Sequence, residues 1–327
     1  MPTAASPTVP QNPTTSPVAF TALPPASLTR FERHPDNPIV TAADIPIPAR
    51  SVFNPGVVKH QDEYLMLADV CLPHNPIVLW LLRSQDGVKF TADPAPIAWP
   101  EPDPDHVETC VYDPRITWID GRYLIMYASQ APVGVRVGVI ETDDFRTFRR
   151  LPTASEIENR NAALFPEKIG GMYARLDRPF QGDGRHAMWI SYSPDLVYWG
   201  RTKRVLDCRR GKWDGDKLGA GAVPIKTDRG WLCIYHGVYG NQNSKIYQLG
   251  VCLLDLEDPS VVLARGTYPL LTPTALYEAT GYVPNVVFTA NAVVENDNTV
   301  RIYYGSADTC VGLAQAPLEG LIEACFC

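Results

Sequence analysis

The 327-residue sequence contains no apolar run of about 18 residues, the length that a membrane-spanning helix needs. It also has no excess of positive charge, because 29 Lys and Arg residues stand against 36 Asp and Glu residues, a net charge of −7. An acidic protein is repelled by nucleic acids and by anionic membrane surfaces, so we expect neither of them as a partner. The apolar content of 45% is that of a globular protein.

The eight cysteines lack the spacing of a metal site or a disulfide framework. No Cys-x-x-Cys pair occurs, and the terminal Cys-Phe-Cys is isolated. Cys110, Cys233 and Cys252 lie in apolar, strand-like runs, where a thiol behaves as a small hydrophobic group. The histidines show no metal-ligand spacing either. We therefore expect free thiols and no metal.

The N-terminal segment lacks both the basic region and the continuous apolar region of a secretory signal peptide. It is rich in Pro, Ser and Thr, a composition typical of flexible chain. We therefore predict a flexible tail over residues 1–29, one folded domain over residues 30–327 and a cytoplasmic location.

Long helical patterns are scarce, and a strand hairpin recurs in their place. The 31 prolines and 23 glycines are spread throughout and interrupt helices. Residues 110–129 alternate apolar and polar side chains on either side of an Asp-Gly turn, as a half-buried hairpin does. Segments 52–70, 161–179, 220–238 and 285–308 follow the same plan. The five turns lie about 50 to 70 residues apart, near Asp62, Asp120, Gly170, Arg229 and Asp297.

Between the hairpins a second short pattern recurs, which we interpret as a turn before an outer strand; it lies at residues 84–90, 141–148, 193–199 and, more weakly, 256–262. One such multi-stranded unit cannot bury its faces alone, so this repeat length is typical of a β-propeller. Five copies predict an all-β, five-bladed β-propeller, with residues 36–40 as an early strand that closes the ring. Two β-sandwiches are the alternative, but they would not place polar residues at one position of every repeat.

Polar residues do occupy one position of every repeat, the open end of the hairpin. There the start of the first strand lies beside the end of the second. Five open ends converge on one end of a propeller axis, which predicts a shared pocket. The first strands carry Asn54, Asp113, Arg160, Asn161 and Lys217, and the second strands carry Asp69, Arg178, His236 and Asp308.

Cations outnumber carboxylates at and near these positions. The carboxylates are Asp113 and Asp308, and the cations are Arg115, Arg160, Lys168, Arg178, Lys217 and His236. Concentrated positive charge in an acidic protein suits a small oxyanion such as phosphate. Nearby aromatic rings suit the face of a sugar, namely Tyr112, Tyr239, Tyr247 and Tyr282. An inverting glycoside hydrolase needs an acid and a base, whereas a phosphorolytic enzyme needs only the acid because phosphate is itself the nucleophile. The residue counts therefore favour phosphorolysis.

Seven motifs resemble, in order, those of the β-mannoside phosphorylases of glycoside hydrolase family 130: FNPGVV, YDPRIT, RNAALFPEKIGGMYARLDRP, KLGAGAVPI, WLCIYHGV, GYVPNVVF and YYGSAD. The resemblance runs from about Arg30 to the C-terminus. It implies a five-bladed propeller that splits a β-mannoside oligosaccharide with inorganic phosphate and inverts the anomeric centre to release α-mannose 1-phosphate. No organic cofactor is implied, and a homo-oligomer is compatible with the family.

The resemblance implies that Asp113 is the single general acid, which passes its proton to the glycosidic oxygen through the mannose 3-hydroxyl. The phosphate-binding positions match Arg160, Asn161, Arg178, Lys217, His236 and Tyr247. We assign Asn54, Arg115 and Asp308 to the sugar substrate. Many members carry an arginine where this chain has Ala68-Asp69, which predicts different contacts to mannose or a different acceptor.

Structural roles are open alternatives at several positions. Asp113 could pair with Arg115, which shares its strand face and would lower the pKa that a general acid needs to be high. Arg160-Asn161 could stiffen a loop, and His236 could be a core residue. Two other functions also stay open: a hydrolase whose base is Glu108, Glu278 or Asp308, and a non-catalytic carbohydrate-binding propeller.

Overall fold

The structure is a computed structural model that describes residues 24–74, 76–101, 103–104, 106–152, 155–182, 186–240 and 244–327. In these ranges the strands form five antiparallel sheets of four or five strands. The prediction of an all-β, five-bladed β-propeller is confirmed. No helix in the described ranges is long and apolar enough to cross a membrane. The predicted flexible tail, residues 1–29, lies mostly outside the described residues and stays a prediction, although Leu28 packs into the core.

The blades follow one another along the chain. Blade 1 contains β2 (Ser51–His60), β3 (Glu63–Cys71), β4 (Ile77–Ser84) and β5 (Thr91–Ala92). Blade 2 contains β6 (Cys110–Ile119), β7 (Arg122–Ala131), β8 (Gly134–Thr142) and β9 (Arg149–Arg150). Blade 3 contains β10 (Asn159–Leu164), β11 (Tyr173–Pro179), β12 (Met188–Ser193) and β13 (Gly200–Leu206).

Blade 4 has a divided first strand, because β14 (Lys217–Ala220) and β15 (Ile225–Thr227) both pair with β16 (Gly230–Tyr239). Its outer strands are β17 (Ile246–Leu254) and β18 (Val262–Arg265). Blade 5 contains β1 (Glu32–Arg33), β19 (Val287–Val294), β20 (Thr299–Ser306) and β21 (Cys310–Pro317). Two short helices, α1 (Leu276–Ala279) and α2 (Leu318–Ala324), flank blade 5 along the chain.

The ring closes in blade 5, where β1 from the start of the domain pairs antiparallel with β21. The expected closing strand at residues 36–40 is thus displaced to Glu32–Arg33, and only Val40 of that stretch forms a bridge, to Val311. The Asn37 side chain adds to the contacts with β21. Its Nδ2 donates to the Leu313 carbonyl at 2.8 Å, and its Oδ1 accepts from the Leu313 N–H at 2.8 Å.

All five predicted hairpins are present. The turn between β6 and β7 has Asp120 at φ 52° and Gly121 at φ 76°, the left-handed pair that an Asp-Gly hairpin turn uses. The second recurring pattern is also a turn before an outer strand, as predicted. In blade 1 the Ser84 Oγ accepts from the Gly87 N–H at 2.9 Å, and the Asp86 carboxylate accepts from the Val88 and Lys89 N–H groups at 2.8 Å.

The hydrophobic core lies between neighbouring blades. One cluster joins Leu176 and Ile190 of blade 3 to Leu218 and Tyr235 of blade 4, all buried. Burying a side chain of this size contributes about 1.5 to 3 kcal/mol. Because every blade packs on two neighbours, the position of each inner strand is set by the whole ring.

A buried ion pair fastens the closing strand. Arg33 donates from Nε to Glu278 Oε1 at 2.7 Å and from Nη2 to Oε2 at 2.8 Å, and the Tyr304 hydroxyl donates to Oε1 at 2.8 Å. Burial alone would raise the pKa of Glu278, but Arg33 and the Thr274 and Ala275 N–H groups hold it below its ordinary value. Glu278 is therefore a structural carboxylate.

We predict that Glu278→Ala destabilises the fold by about 2 kcal/mol, because Arg33 and Tyr304 lose the carboxylate to which they donate. For a domain of this size that lowers the melting temperature by about 3 °C. The control is Glu319→Ala, which removes an exposed ion pair with Arg229 and should change stability by less than about 1 kcal/mol. Equal melting temperatures for the two variants would contradict the prediction.

Candidate active site

A cavity of about 320 Å³ lies at the edge of the sheets where the first strands begin and the second strands end, and all five blades line it. Its polar lining contains every predicted site residue except Arg115: Asn54, Asp113, Arg160, Asn161, Arg178, Lys217, His236, Tyr247 and Asp308. Residues that are up to 254 positions apart, from Asn54 to Asp308, thus meet in one cavity.

A repeated β-bulge aims the polar side chains into the cavity. The register shifts between Phe53 and Gly56, between Tyr112 and Arg115, and between Arg160 and Ala163. At these bulges three residues adopt positive φ, with Asn54 at 42°, Asp113 at 59° and Asn161 at 57°. Asn and Asp tolerate this left-handed conformation better than other non-glycine residues. The bulge therefore explains why these residue types recur at the open ends.

Asp113 is buried and held by the blades on both sides. Asn54 Nδ2 donates to its Oδ1 at 2.8 Å, and Asn161 Nδ2 donates to its Oδ2 at 3.4 Å. Burial raises the pKa of Asp113, and the opposing effects of Arg115, Asn54, Arg160 and Arg178 are not large enough to reverse the shift. The shift is in the direction that a general acid needs.

The cavity also contains a cluster of cations, Arg160, Arg178 and Lys217, of which Arg160 pairs with Glu158 at 3.3 Å. Burial and neighbouring Arg160 lower the pKa of Arg178 to about 10, and burial together with Arg178 and Lys245 lowers the pKa of Lys217 to about 7. Among the described residues no carboxylate forms an ion pair with Arg178 or Lys217. Cations that repel one another in a closed space form a site that an anion would stabilise.

His236 supports this cluster as a neutral group. Its Nε2 lies 3.1 Å from Arg178 Nη1, and a guanidinium can only donate, so Nε2 accepts and the ring proton is on Nδ1. Burial and nearby Arg178 hold the pKa of His236 well below its ordinary value. The sequence predicts a cation at His236, and the structure corrects this to a neutral imidazole.

Two other predicted cations lie outside the cavity. Arg115 is buried beneath it and donates to the Gly221 and Ala220 carbonyls at 2.8 Å and to the Asp113 carbonyl at 3.1 Å. The assignment of Arg115 to the substrate is therefore replaced by a structural role. Lys168 lies at the far end of its hairpin, where it pairs with Asp120 at 3.1 Å.

Of the three candidate bases for hydrolysis, two have structural partners outside the cavity and one lines it. Glu108 accepts from Tyr127 and Ser129 at 2.7 Å and pairs with Arg150, and Glu278 belongs to the ring closure. Asp308 lines the cavity, where burial and the charge of Asp113 raise its pKa to about 7.

Sequence reasoning missed the apolar wall of the site. Phe53, Ile77, Val283, Val286 and Phe288 line the cavity, and the Phe288 ring lies 4.8 Å from the His236 ring. Three of them, Val283, Val286 and Phe288, belong to the motif GYVPNVVF, so this motif could have indicated an apolar wall in the sequence. Of the four tyrosines proposed for a sugar face, the cavity contains Tyr112, Tyr247 and Tyr282, whereas Tyr239 is not in its lining. A neighbouring cavity of about 650 Å³ shares Phe53, Ile77 and Tyr282 with the first.

Comparison with known proteins identifies the family. A family model described as beta-1,4-mannooligosaccharide phosphorylase matches residues 29–326. The chain belongs to glycoside hydrolase family 130. The resemblance stated from the motifs is therefore confirmed, and it extends over the whole propeller.

Individual family members show the same relationship. The chain is 35% identical over 303 residues to a beta-1,4-mannooligosaccharide phosphorylase of Ruminococcus albus, with 89% of each chain covered. It is 37% identical over 234 residues to a 1,2-beta-oligomannan phosphorylase of a Thermoanaerobacter species, covering 71% of this chain and 75% of the relative. Among solved structures, the beta-1,2-mannobiose phosphorylase of Listeria innocua in complex with beta-1,2-mannobiose superimposes with a TM-score of 0.83 at 28% identity, covering 90% and 99% of the two chains.

The titration of Lys217 gives a test of the anion site of this family 130 member. We predict that sulfate, which stays doubly charged between pH 6 and 9, binds most tightly below pH 7. Its affinity should fall as the pH rises, because Lys217 with a pKa of about 7 then loses its charge. The fall is at most about tenfold per pH unit. Isothermal titration calorimetry measures it.

Lys217→Arg should reduce this pH dependence, because arginine stays charged throughout the range. The matched control is Lys226→Arg, an exposed lysine that pairs with Glu167, and it should behave like the wild type. A sulfate affinity with the same pH dependence in Lys217→Arg as in the wild type would exclude Lys217 from the anion site.

Proposed function

We propose that this protein cleaves the β-mannosidic bond of a short oligosaccharide with inorganic phosphate and releases α-mannose 1-phosphate with inversion. One observation carries the proposal: Asp113, a buried carboxyl that accepts from two amides, shares a cavity with Arg178 and Lys217, which form no ion pair with a carboxylate of the described residues. The family relatives, which are named as mannoside phosphorylases, support it.

In this mechanism the phosphate lies against Arg160, Arg178 and Lys217, with Asn161 and Tyr247 as further contacts. His236 acts through Arg178, whose guanidinium it orients. The cations hold the phosphate in line with the anomeric carbon, so that orientation and charge replace the base of a hydrolase. The Lys217 ammonium lies 4.8 Å from the centroid of the Tyr247 ring, which keeps that contact in place.

The reaction forms a bond from a phosphate oxygen to the anomeric carbon while the bond from that carbon to the glycosidic oxygen breaks. The departing oxygen gains the proton of Asp113, through the mannose 3-hydroxyl in the route that the family resemblance implies. The resulting carboxylate is stabilised by the amide N–H groups of Asn54 and Asn161. Asn54 and Asp308 are proposed as contacts of the mannose ring, and no organic cofactor takes part.

Hydrolysis is the second candidate, and it depends on Asp308. Glu108 and Glu278 are committed to arginines elsewhere, so Asp308 is the remaining candidate among the three residues considered. An inverting hydrolase needs this base ionised and a water between it and the sugar. The cation cluster beside it has no function in hydrolysis, which favours phosphorolysis.

We also propose that the protein acts in the cytoplasm. All eight cysteines are free, as expected in a reducing compartment.

The direct test is the product. With β-1,4- and β-1,2-linked mannobiose and phosphate, we expect mannose 1-phosphate in proportion to the sugar consumed, measured by anion-exchange chromatography. Asp113→Asn should lower kcat by about 10²- to 10⁴-fold, the usual size of general acid catalysis, and keep mannoside binding. Release of free mannose at the same rate with and without phosphate would overturn phosphorolysis.

A second prediction distinguishes residues that bind phosphate from residues that bind the mannoside. Arg160→Ala should raise the KM for phosphate by about 10- to 100-fold, the value of one charge-assisted hydrogen bond, and leave the KM for mannoside within about threefold. The control is Arg204→Ala, since Arg204 pairs with Asp207 on the surface. An unchanged KM for phosphate in Arg160→Ala would remove Arg160 from the site.

A further inference from the structure

Asp69 is a buried carboxyl next to the proposed acid that the mechanism above does not use. It lies in β3 opposite Phe53, the residue that precedes the first bulge. Its two oxygens lie 3.1 and 3.0 Å from the backbone nitrogen of Asp113, which donates to them across the interface of blades 1 and 2. The side chain is 0% exposed and does not line the cavity. Its contact is therefore with the acid and not with the sugar.

This contact compensates for a loss that the bulge causes. A bulge interrupts the ladder, so the N–H of the bulged residue loses its partner in the neighbouring strand. In a buried site an unpaired N–H costs about 1 to 3 kcal/mol. Asp69 accepts that N–H and thereby stabilises the left-handed conformation of Asp113, with φ 59°. Because φ sets the direction of the side chain, Asp69 also helps to aim the carboxyl.

A neutral acceptor would suffice for that purpose, so the charge of Asp69 needs a separate explanation. Burial and the charge of Asp113 raise the pKa of Asp69 well above its ordinary value. Asp308 of blade 5 acts on Asp69 in the same direction, whereas Arg115 opposes it. Asp113 itself faces Arg115, Arg160 and Arg178. Two buried carboxyls that interact electrostatically do not both ionise readily, so their protons leave in two coupled steps.

We propose that Asp69 is a positioning residue for Asp113, whose carboxyl fixes the backbone of the acid and keeps a proton on the pair. The cations that bind phosphate would otherwise favour an ionised Asp113. A second carboxyl, which comes from blade 1, offsets this effect and lets one buried group stay protonated beside three cations. The inference rests on Asp113 being the acid of the proposed function.

The experiment compares Asp69→Asn and Asp69→Ala in the full-length protein. The measurement is the pH dependence of kcat for mannobiose phosphorolysis, with phosphate and mannoside both saturating so that the titration of Lys217 and of free phosphate does not enter. Asn keeps an oxygen for the Asp113 N–H but cannot ionise. We expect kcat at acidic pH within about threefold of the wild type, and a loss of activity at high pH that begins about one pH unit earlier.

Asp69→Ala should lose both the acceptor for the Asp113 N–H and the second carboxyl. We expect a kcat at least about 30-fold lower and an unchanged KM for mannoside, because the carboxyl of Asp113 is no longer held in position. The control is Glu108→Gln, a buried carboxyl paired with Arg150, whose pH profile should match the wild type. Thermal unfolding identifies a variant that does not fold, and Asp69→Asn decides the question if Asp69→Ala fails.

A pH profile of Asp69→Asn that coincides with the wild type would overturn the proposal and leave Asp69 a purely structural acceptor. Asp113→Asn separates this failure from a failure of the proposed function. If Asp113→Asn keeps its activity, Asp113 is not the acid and the proposed mechanism falls. If Asp113→Asn is inactive and the Asp69→Asn profile is unshifted, only the inference about Asp69 fails.

Discussion

The site depends on the hydrogen bonds that Asn54 and Asn161 donate to the carboxyl of Asp113. These three residues come from three successive blades, and each lies at a bulge with a left-handed backbone. Their distances are fixed only if the blades keep their packing, and the blades keep it only if the ring closes. The pairing of β1 with β21 and the ion pair of Arg33 with Glu278 are therefore coupled to the active site, although they lie outside it.

The same cavity brings like charges close together, which costs free energy. Burial and Arg178 lower the pKa of Lys217, and burial and Arg160 lower the pKa of Arg178, whereas burial and Asp113 raise the pKa values of Asp308 and Asp69. A phosphate dianion would relieve the repulsion on one side, and it would raise the pKa of Lys217. Phosphate binding should thus be accompanied by proton uptake near neutral pH. The repulsion between these cations is relieved when the anion binds, and this contributes to its affinity.

Local patterns made much of the fold predictable from the sequence. The Asp120-Gly121 turn and the Ser-x-Asp turn at Ser84 encode their geometry within a few residues, and their repetition gave the number of blades. The open ends of the hairpins then gave eight of the ten site positions, since the topology of an antiparallel hairpin is simple, and Tyr247 came from the family resemblance. For these residues the position in the hairpin was sufficient, because it determines which residues lie at the same edge of the sheets.

Side-chain direction and charge state were not predictable in this way. Residues two apart on a strand share a face, but the bulge between Tyr112 and Arg115 breaks that rule and turns Arg115 away from the cavity. His236 is neutral because of Arg178, a partner 58 positions earlier in the sequence. Many family members carry an arginine where this chain has Ala68-Asp69, and here the Asp69 carboxyl accepts from the Asp113 N–H; the expected change at the mannose or the acceptor stays a prediction. Each of these features is a contact between blades, for which the sequence contains no local signal.

The arrangement of charge also bears on the choice between phosphate and water as the nucleophile. In an inverting hydrolase the two carboxyls are about 6.5 to 9.5 Å apart, on opposite faces of the sugar ring, and the base is ionised. Here the pKa of Asp308 is raised to about 7 by burial and by Asp113, so near neutral pH a large share of Asp308 is protonated. An attacking water is neutral and gains no net charge attraction from Arg178 and Lys217. Phosphate arrives already ionised and is attracted by those same cations, so the electrostatics of the cavity favour phosphorolysis.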